Sequence, residues 1–209
     1  MIEELNELNS YIIDKIEEND ELLLELEKYA VENRVPIVTK EVAKYLEFMA
    51  EILKSKNILE IGSAIGYSGI ILAKVAKKYN GKLTTIEIDE DRYNIAKINF
   101  EKAKLTNVNI ILGDALDVIS GLDEKYDFIF LDAAKGKYMD FFKKSYEKLN
   151  AGGVVFIDNI LFRGYVNKID YPKRYKTIVK RLNEFIDYLY KNHDFVLLPF
   201  GDGIGLVKK

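Results

Sequence analysis

The sequence predicts an α/β fold, a mostly parallel seven-stranded sheet preceded by extra helices, and three observations predict it. From residue 56 onward, short apolar runs alternate with segments of helical periodicity. A turn of small residues, 62–69, follows the first of those runs. The last two runs are separated by little more than Gly201-Asp202-Gly203, which reads as a hairpin turn. Strand–helix alternation favours parallel strands with crossover helices, and the closing hairpin adds an antiparallel edge.

Residues 1–54 read as helices. Apolar residues recur at helical spacing as Leu5, Leu8, Ile12, Ile13 and Ile16, then Leu22, Leu23, Leu26 and Tyr29-Ala30, then Val42, Tyr45, Leu46, Met49, Ile52 and Leu53. Asn19-Asp20 and Thr39 suit N-caps, and Pro36 marks the break before the third helix. The first two helices are dense in Glu. They are expected to cover one sheet face or supply a dimer surface rather than act as a lid, because helices pack more often than they gate. Strands are expected at 57–61, 83–87, 108–112, 126–131, 153–157, 194–199 and 203–208. Helices are expected at 67–79, 90–104, 115–120, 138–148 and 172–191. No linker, repeat or low-complexity tract interrupts this pattern, so one domain over 1–209 is expected, with 1–54 as its helical cover.

Composition narrows the chemistry. The chain has no cysteine, which excludes disulfides, thiolate nucleophiles and zinc–sulfur sites. Its one histidine, His193, reads as a helix-end residue and excludes histidine-rich metal centres, so any metal must be a hard cation held by oxygens. A net charge of −3 argues against a generic nucleic-acid coat, though not against a local basic patch. No apolar run is long enough to span a membrane and the N-terminus is acidic, so a cytoplasmic protein without a membrane partner is expected.

The stretch 58–69, ILEIGSAIGYSG, has the form of a nucleotide cradle. A buried strand leads into small residues, which let a ligand approach the backbone, and then into a helix whose free N–H groups point at it. The spacing is G-x-A-x-G-x-x-G and not the dinucleotide fingerprint G-x-G-x-x-G. Glu60, two residues before Gly62, would repel a pyrophosphate but suits a cationic ligand such as an amino-acid ammonium. A plain dinucleotide-binding module is therefore disfavoured.

Ligands of open α/β sheets sit beyond the carboxyl ends of the strands. The polar residues at those ends are Glu60 and Gly62, then Glu87, then Gly113-Asp114-Ala115, then Asp132 to Lys135, then Asp158-Asn159. Glu87 lies where an acid can bond ribose hydroxyls; otherwise it is a solvated loop acid. Asp114 can accept from an adenine amino group, cap the helix behind it, or both. Asp132, Asp158 and Asn159 together form the ligand set of a hard divalent cation, although each alone would pass for a cap or turn residue. Lys135 is one of many lysines, but beside a bound cation such an amine can serve as a base.

These residues carry a resemblance. ILEIGSAIGYSG, TIEID, GDA, FLDAAKGKY, IDNIL and LLPFGDGIGL resemble the S-adenosylmethionine- and cation-dependent O-methyltransferases, the group with the catechol and caffeoyl-CoA enzymes. The likeness runs from about Val35 to the C-terminus and keeps order and spacing. Within the group the chain looks most similar to bacterial tRNA 5-hydroxyuridine methyltransferases, through Val35-Pro36-Ile37, DAAKGKYMDFF, DNILFRGYV and Pro172-Lys173-Arg174. The resemblance implies a Rossmann-like class I methyltransferase fold. It implies that Val38 and Ser68 contact the methionine part of S-adenosylmethionine, beside the Glu60–Gly62 turn. Glu87 would hold the ribose, and Asp114 and Ala115 would border the adenine. Asp132, Asp158 and Asn159 would bind magnesium, with Asp132 also near the cofactor, and Lys135 would be the catalytic base. Val38 departs from the methionine that relatives often carry, and Ala64 replaces the middle glycine of the wider methyltransferase loop.

The substrate is the open question at this level. Lys168, Lys173, Arg174, Lys176, Lys180 and Arg181 crowd one segment, with Tyr165, Tyr171 and Tyr175 between them. That mixture suits an exposed RNA loop. The apolar stripe Ile178, Leu182, Phe185, Ile186 and Leu189 equally describes an amphipathic helix with a solvated lysine face. With the resemblance, the expected reaction turns wobble 5-hydroxyuridine of a tRNA anticodon loop into 5-methoxyuridine. The alternative is a small catechol-type phenol, which offers the same pair of vicinal oxygens. The family's habit also implies a homodimer.

Overall fold

The computed structural model describes residues 2–209, with side chains for all of these except 2–6 and 9. Three helices come first, α1 (Ile2–Lys15), α2 (Glu21–Asn33) and α3 (Lys40–Ile52). Strands and helices then alternate: β1 (Asn57–Ile61), α4 (Tyr67–Lys78), β2 (Lys82–Glu87), α5 (Glu90–Lys102), β3 (Val108–Leu112), α6 (Ala115–Gly121), β4 (Tyr126–Leu131), α7 (Tyr138–Glu147) and β5 (Leu149–Ile157). The chain closes with α8 (Lys176–Asn192), β6 (Asp194–Leu198) and β7 (Ile204–Lys208).

Local chemistry sets the helix ends. Asp20 accepts from the amides of Leu22 and Leu23 at 3.0 and 3.2 Å, which starts α2, and Arg34 in the left-handed region stops it. Asp89 and Asp114 cap α5 and α6 in the same way. Thr39 stands at the cap of α3 but its side chain makes no capping bond.

The seven strands form one sheet in the order β3-β2-β1-β4-β5-β7-β6. The first five pair in parallel, and β7 pairs antiparallel with both β5 and β6. The antiparallel strand is therefore one place in from the edge, not at it. The reason lies in composition: the second strand of the hairpin, with Ile204, Gly205 and Val207 buried, can be covered on both faces, whereas Asp194 and Val196 of β6 are exposed.

Side-chain alternation sends consecutive strand residues to opposite faces. Ile58, Phe128, Phe130 and Phe156 face a layer made by α2, α3, α4 and α5. Leu59, Ile61, Ile129 and Val155 face α6, α7 and α8. Of the first two helices α2 packs into the layer on a sheet face, whereas α1 rests against α3. Leu23, Leu26 and Ala30 of α2 are buried, whereas Leu8, Tyr11 and Ile12 of α1 stay exposed.

Two boundaries differ from expectation. The fifth strand begins at Leu149 rather than 153, because a bulge between Tyr126 and Phe128 lets Leu149 pair across Asn150-Ala151-Gly152-Gly153, a run that reads as a turn. The helix expected at 172–191 opens as a 3₁₀ turn over Lys173–Tyr175, with the Tyr175 amide donating to Pro172 O at 2.8 Å, and becomes α-helical from Lys176. Among the described residues no helix is long and apolar enough to cross a membrane.

Candidate active site

The carboxyl ends of β1 to β5 lie along one edge of the sheet, and a cavity of about 410 Å³ opens there. Gly62, Ala64, Glu87, Asp114, Ala115, Asp132, Lys135 and Asn159 all line it. Ile37, Ile88, Arg92, Lys137 and Phe141 complete the wall and were not singled out from the sequence. Ile37, Ile88, Lys137 and Phe141 lie within stretches that carry the family likeness but had no role assigned, and Arg92 lies outside them.

The turn after β1 is built by backbone geometry. Gly62 and Gly66 have φ of +99° and +88°, and the Gly62 amide donates to Ile86 O at 2.9 Å. Glu87 holds this turn: its Oε2 accepts from the Ala64 amide at 2.8 Å, and its Oε1 from the Ile88 and Asp89 amides at 2.9 and 3.0 Å. The carboxylate still borders the cavity, and Oε2, with a single amide bonded, can accept again.

Glu60 and Ser68, expected beside the cofactor, are not among the side chains lining this cavity. Strand alternation turns Glu60 toward α4, where it is fully buried; Ser68 Oγ donates to its Oε1 and Thr85 Oγ1 to its Oε2, both at 2.6 Å. Gly69 leaves the room, since a Cβ there would sit 2.8 Å from Glu60 Oε2. Val38 is also buried and borders a neighbouring cavity rather than this one.

Burial pushes the Glu60 carboxyl up to about 7, against the pull of Ser68 and Thr85, and the charges of Asp132 and Glu87 add to the rise. An unfolded glutamate titrates near 4.5. The folded chain therefore holds this proton more tightly, and the resulting stability is full below about 4.5 and lost as pH rises through about 7. Glu60→Gln does not titrate. Its stability advantage over wild type should grow by on the order of 3 kcal/mol between pH 5 and 8 in urea denaturation. A gap that does not move with pH counts against a buried, titrating Glu60.

Asp132 and Asp158 each stand one residue beyond the paired Leu131 and Ile157 of β4 and β5. Adjacent strands put such positions side by side, about 4.8 Å apart. Burial raises both carboxyls, Asp158 to about 7 with the charge of Asp132 as its second cause, while Lys135 opposes the rise at each. Asp158 Oδ1 accepts from the Asn159 amide at 2.8 Å, and its carbonyl accepts from Tyr138 Oη at 2.9 Å. Asn159 has φ +53°, and its Oδ1 accepts from Lys135 Nζ at 3.0 Å. Lys137 Nζ lies 3.0 Å from Asp114 Oδ2 at the rim.

Asp202 completes the acidic group. Its carbonyl accepts from the Leu161 amide at 3.0 Å and its Oδ1 from the Arg163 amide, and its charge reaches Asp158 and Tyr138. The sequence marked it only as a hairpin turn. Pairing of β7 against β5 is what carries that turn to the active edge.

The O-methyltransferase family model matches residues 14–209. The chain belongs to that family. It is 33% identical over 166 residues to a catechol O-methyltransferase of Niastella koreensis, covering 76% of this chain and 75% of that protein. An O-methyltransferase from Bacillus cereus, solved in complex with SAH, is 27% identical, covers both chains completely and superposes with a TM-score of 0.82. TomG from Streptomyces achromogenes, involved in tomaymycin synthesis and solved in complex with SAM, is 26% identical with a TM-score of 0.83, over 97% of this chain and 96% of that one.

Family membership makes the chain an S-adenosylmethionine-dependent O-methyltransferase. Its cavity fits that cofactor. Ile37, Ile86, Ile88 and Phe141 offer apolar walls, Glu87 and Asp114 offer acceptors, and the acidic floor suits a sulfonium charge. The acid–amide group fits a hard divalent cation by donor chemistry. Two neighbouring buried carboxylates with one ammonium nearby lack positive charge. Among the described residues no three His, Cys, Asp or Glu side chains converge as a metal site; the residues that would hold a cation are two carboxylates, Asp132 and Asp158, with the Asn159 amide oxygen.

Proposed function

We propose that this O-methyltransferase holds magnesium or a similar divalent cation on Asp132, Asp158 and Asn159, and methylates wobble 5-hydroxyuridine of tRNA to 5-methoxyuridine. The observation that carries the substrate choice is an aromatic and basic ledge that begins three residues beyond Asn159. Phe162, Tyr165 and Tyr175 pack together with ring centroids 5.2 to 5.7 Å apart, and Tyr171 stacks behind at 6.4 Å from Tyr165. Lys168 Nζ lies 5.1 Å from the Tyr165 ring centroid and the Arg174 guanidinium 4.8 Å from that of Tyr175. Rings for bases beside cations for phosphates suit a single-stranded loop.

The ledge, not α8, carries this reading. Val179, Leu182, Phe185 and Leu189 of α8 are buried, and Lys180 on its outer face pairs with Glu184 at 3.6 Å. Arg181 is committed elsewhere, donating to Gly136 O at 3.0 Å.

In the proposed reaction the substrate oxygen bonds the methyl carbon as the carbon–sulfur bond breaks, leaving S-adenosylhomocysteine. A divalent cation, when bound, supplies Lewis-acid stabilisation of the negative charge on that oxygen. Lys135 Nζ is the group placed to take the departing proton, and its bond to Asn159 Oδ1 aims it. Glu87 and the glycine turn hold the cofactor end. The exposed Leu8, Tyr11 and Ile12 of α1 support a homodimer through that helix.

Labelled S-adenosylmethionine with tRNA from cells lacking the methyl group tests the reading directly. Transfer to that tRNA is expected. Good turnover of catechol with none of tRNA would replace it with the second reading, a small-molecule catechol-type enzyme, which the likeness to the Niastella koreensis protein favours. Reversing charge at Lys173 and Arg174 separates the two further. It should lower tRNA methylation at least about tenfold at moderate salt and flatten its logarithmic salt dependence by about 1–2. Catechol methylation should hardly change.

A further inference from the structure

A second cavity, of about 420 Å³, adjoins the first, and Ile37 and Asn159 line both. Asp158 and Asp202 face into it from the sheet edge, and Val38 and Glu41 border it at the start of α3. Glu41 is 4% exposed, and its Oε2 is covered and without a hydrogen-bond partner among the described residues. The neighbouring lysines are turned elsewhere, Lys40 to Glu27 at 3.0 Å and Lys44 to Glu47 at 2.7 Å.

A first-turn acid is ordinarily explained by the helix dipole or by a bond to an amide, at an exposed position. Glu41 is buried and has no such bond. The other two acids are already engaged, since Asp158 accepts from the Asn159 amide and Asp202 from the Arg163 amide. A buried carboxylate oxygen with an unused lone pair is disfavoured unless something donates to it. The cavity it borders reaches the acid–amide group where the acceptor oxygen must come. A small turn of the Glu41 side chain, which borders the cavity, would bring that oxygen to a substrate donor and satisfy it.

We infer that Glu41 is the hydrogen-bond acceptor of the substrate subsite and reads the N3–H of 5-hydroxyuracil. The choice of that donor rests on the uridine reading above. On this base the 5-hydroxyl, the 4-carbonyl and N3–H follow one another along one edge. The two vicinal oxygens face Asp132, Asp158 and Asn159, and N3–H is the next group along. A catechol lacks a donor at that place, whereas pyrogallol carries a third hydroxyl there.

The test compares kcat/KM ratios in wild type, Glu41→Gln and Glu41→Ala. One pair of substrates is an anticodon stem-loop with 5-hydroxyuridine and the same RNA methylated at N3. The other pair is pyrogallol and catechol. Wild type should prefer the donor-bearing member of each pair by about 10- to 100-fold. Glu41→Ala should bring both ratios close to one, and the near-isosteric Glu41→Gln should lower them even if the alanine variant folds poorly. Ratios that survive both substitutions, or a wild type without preference, overturn the assignment. If the stem-loops are not methylated and the phenols are, the uridine reading falls. The pyrogallol ratio then decides the role of Glu41 alone.

Discussion

Asp158→Asn should lower methyl transfer about 10³-fold or more while leaving a chain that is at least as stable as wild type in chelator. The activity loss follows from the place of Asp158 in the acid–amide group. Losing a cation's contribution costs several kcal/mol of transition-state stabilisation, and each 1.36 kcal/mol is a factor of ten. The stability effect has the opposite sign. Burial and then the charge of Asp132 push the Asp158 carboxyl up to about 7, against an ordinary 3.8. Such a group favours the folded chain below its unfolded value, and the benefit is lost as pH rises through about 7. At pH 8 without a divalent ion, two neighbouring carboxylates repel in a buried setting, and the amide removes one charge. Asparagine can still accept from the Asn159 amide, so the local turn survives. Thermal unfolding at pH 8 with excess chelator should show a higher Tm for the variant, while kinetics with added magnesium show the loss. Activity within tenfold of wild type would remove Asp158 from the chemistry. A lower Tm in chelator would mean that the acid serves the fold.

Gly62→Ala should destabilise the chain by roughly 3 kcal/mol or more, for two reasons that act together. With φ +99° the backbone lies where a side chain is strained. A Cβ there would also sit 2.1 Å from Asp132 O and 3.0 Å from its carbonyl carbon, both backbone atoms with no flexible end to yield. Relief requires β1 and the β4 end to separate, and that moves Asp132 as well. For a chain of this length the shift in Tm should be about 10 °C, and cofactor binding should weaken with it. Ala64→Gly in the same turn is the contrast. Ala64 has φ +45°, so glycine relieves strain there and the Tm should change little. Equal losses at both positions would mean that the turn merely tolerates no change.

The strand ends were legible because short apolar runs and helical stripes mark where strands stop, and each stop carried a polar residue. Gly62, Glu87, Asp114, Ala115, Asp132, Lys135 and Asn159 could be picked out on that ground, and the fold places them round one cavity. Glu60 carried the same signal, and Ser68 came from the family likeness alone, yet neither lines that cavity. Position along a strand does not say which face a side chain takes once α4 packs over it, and there Glu60 finds two hydroxyls of its own. Glu41 was invisible because a first-turn glutamate on an amphipathic helix has an ordinary explanation. Its burial depends on what is packed round α3.

Local chemistry in the chain, meaning periodicity, caps and the positive-φ turn, settled the order of elements, the parallel sheet and the edge at which the cavity opens. Those properties arise from neighbours within a few residues, which is why a string of letters carries them. Placement of Asp202 and Glu41 beside Asp158 awaited the folded molecule. That residues 41, 158 and 202 line one cavity depends on β7 inserting between β5 and β6 and on how α3 packs on the sheet. Packing of remote segments chooses those arrangements, and no local pattern encodes them.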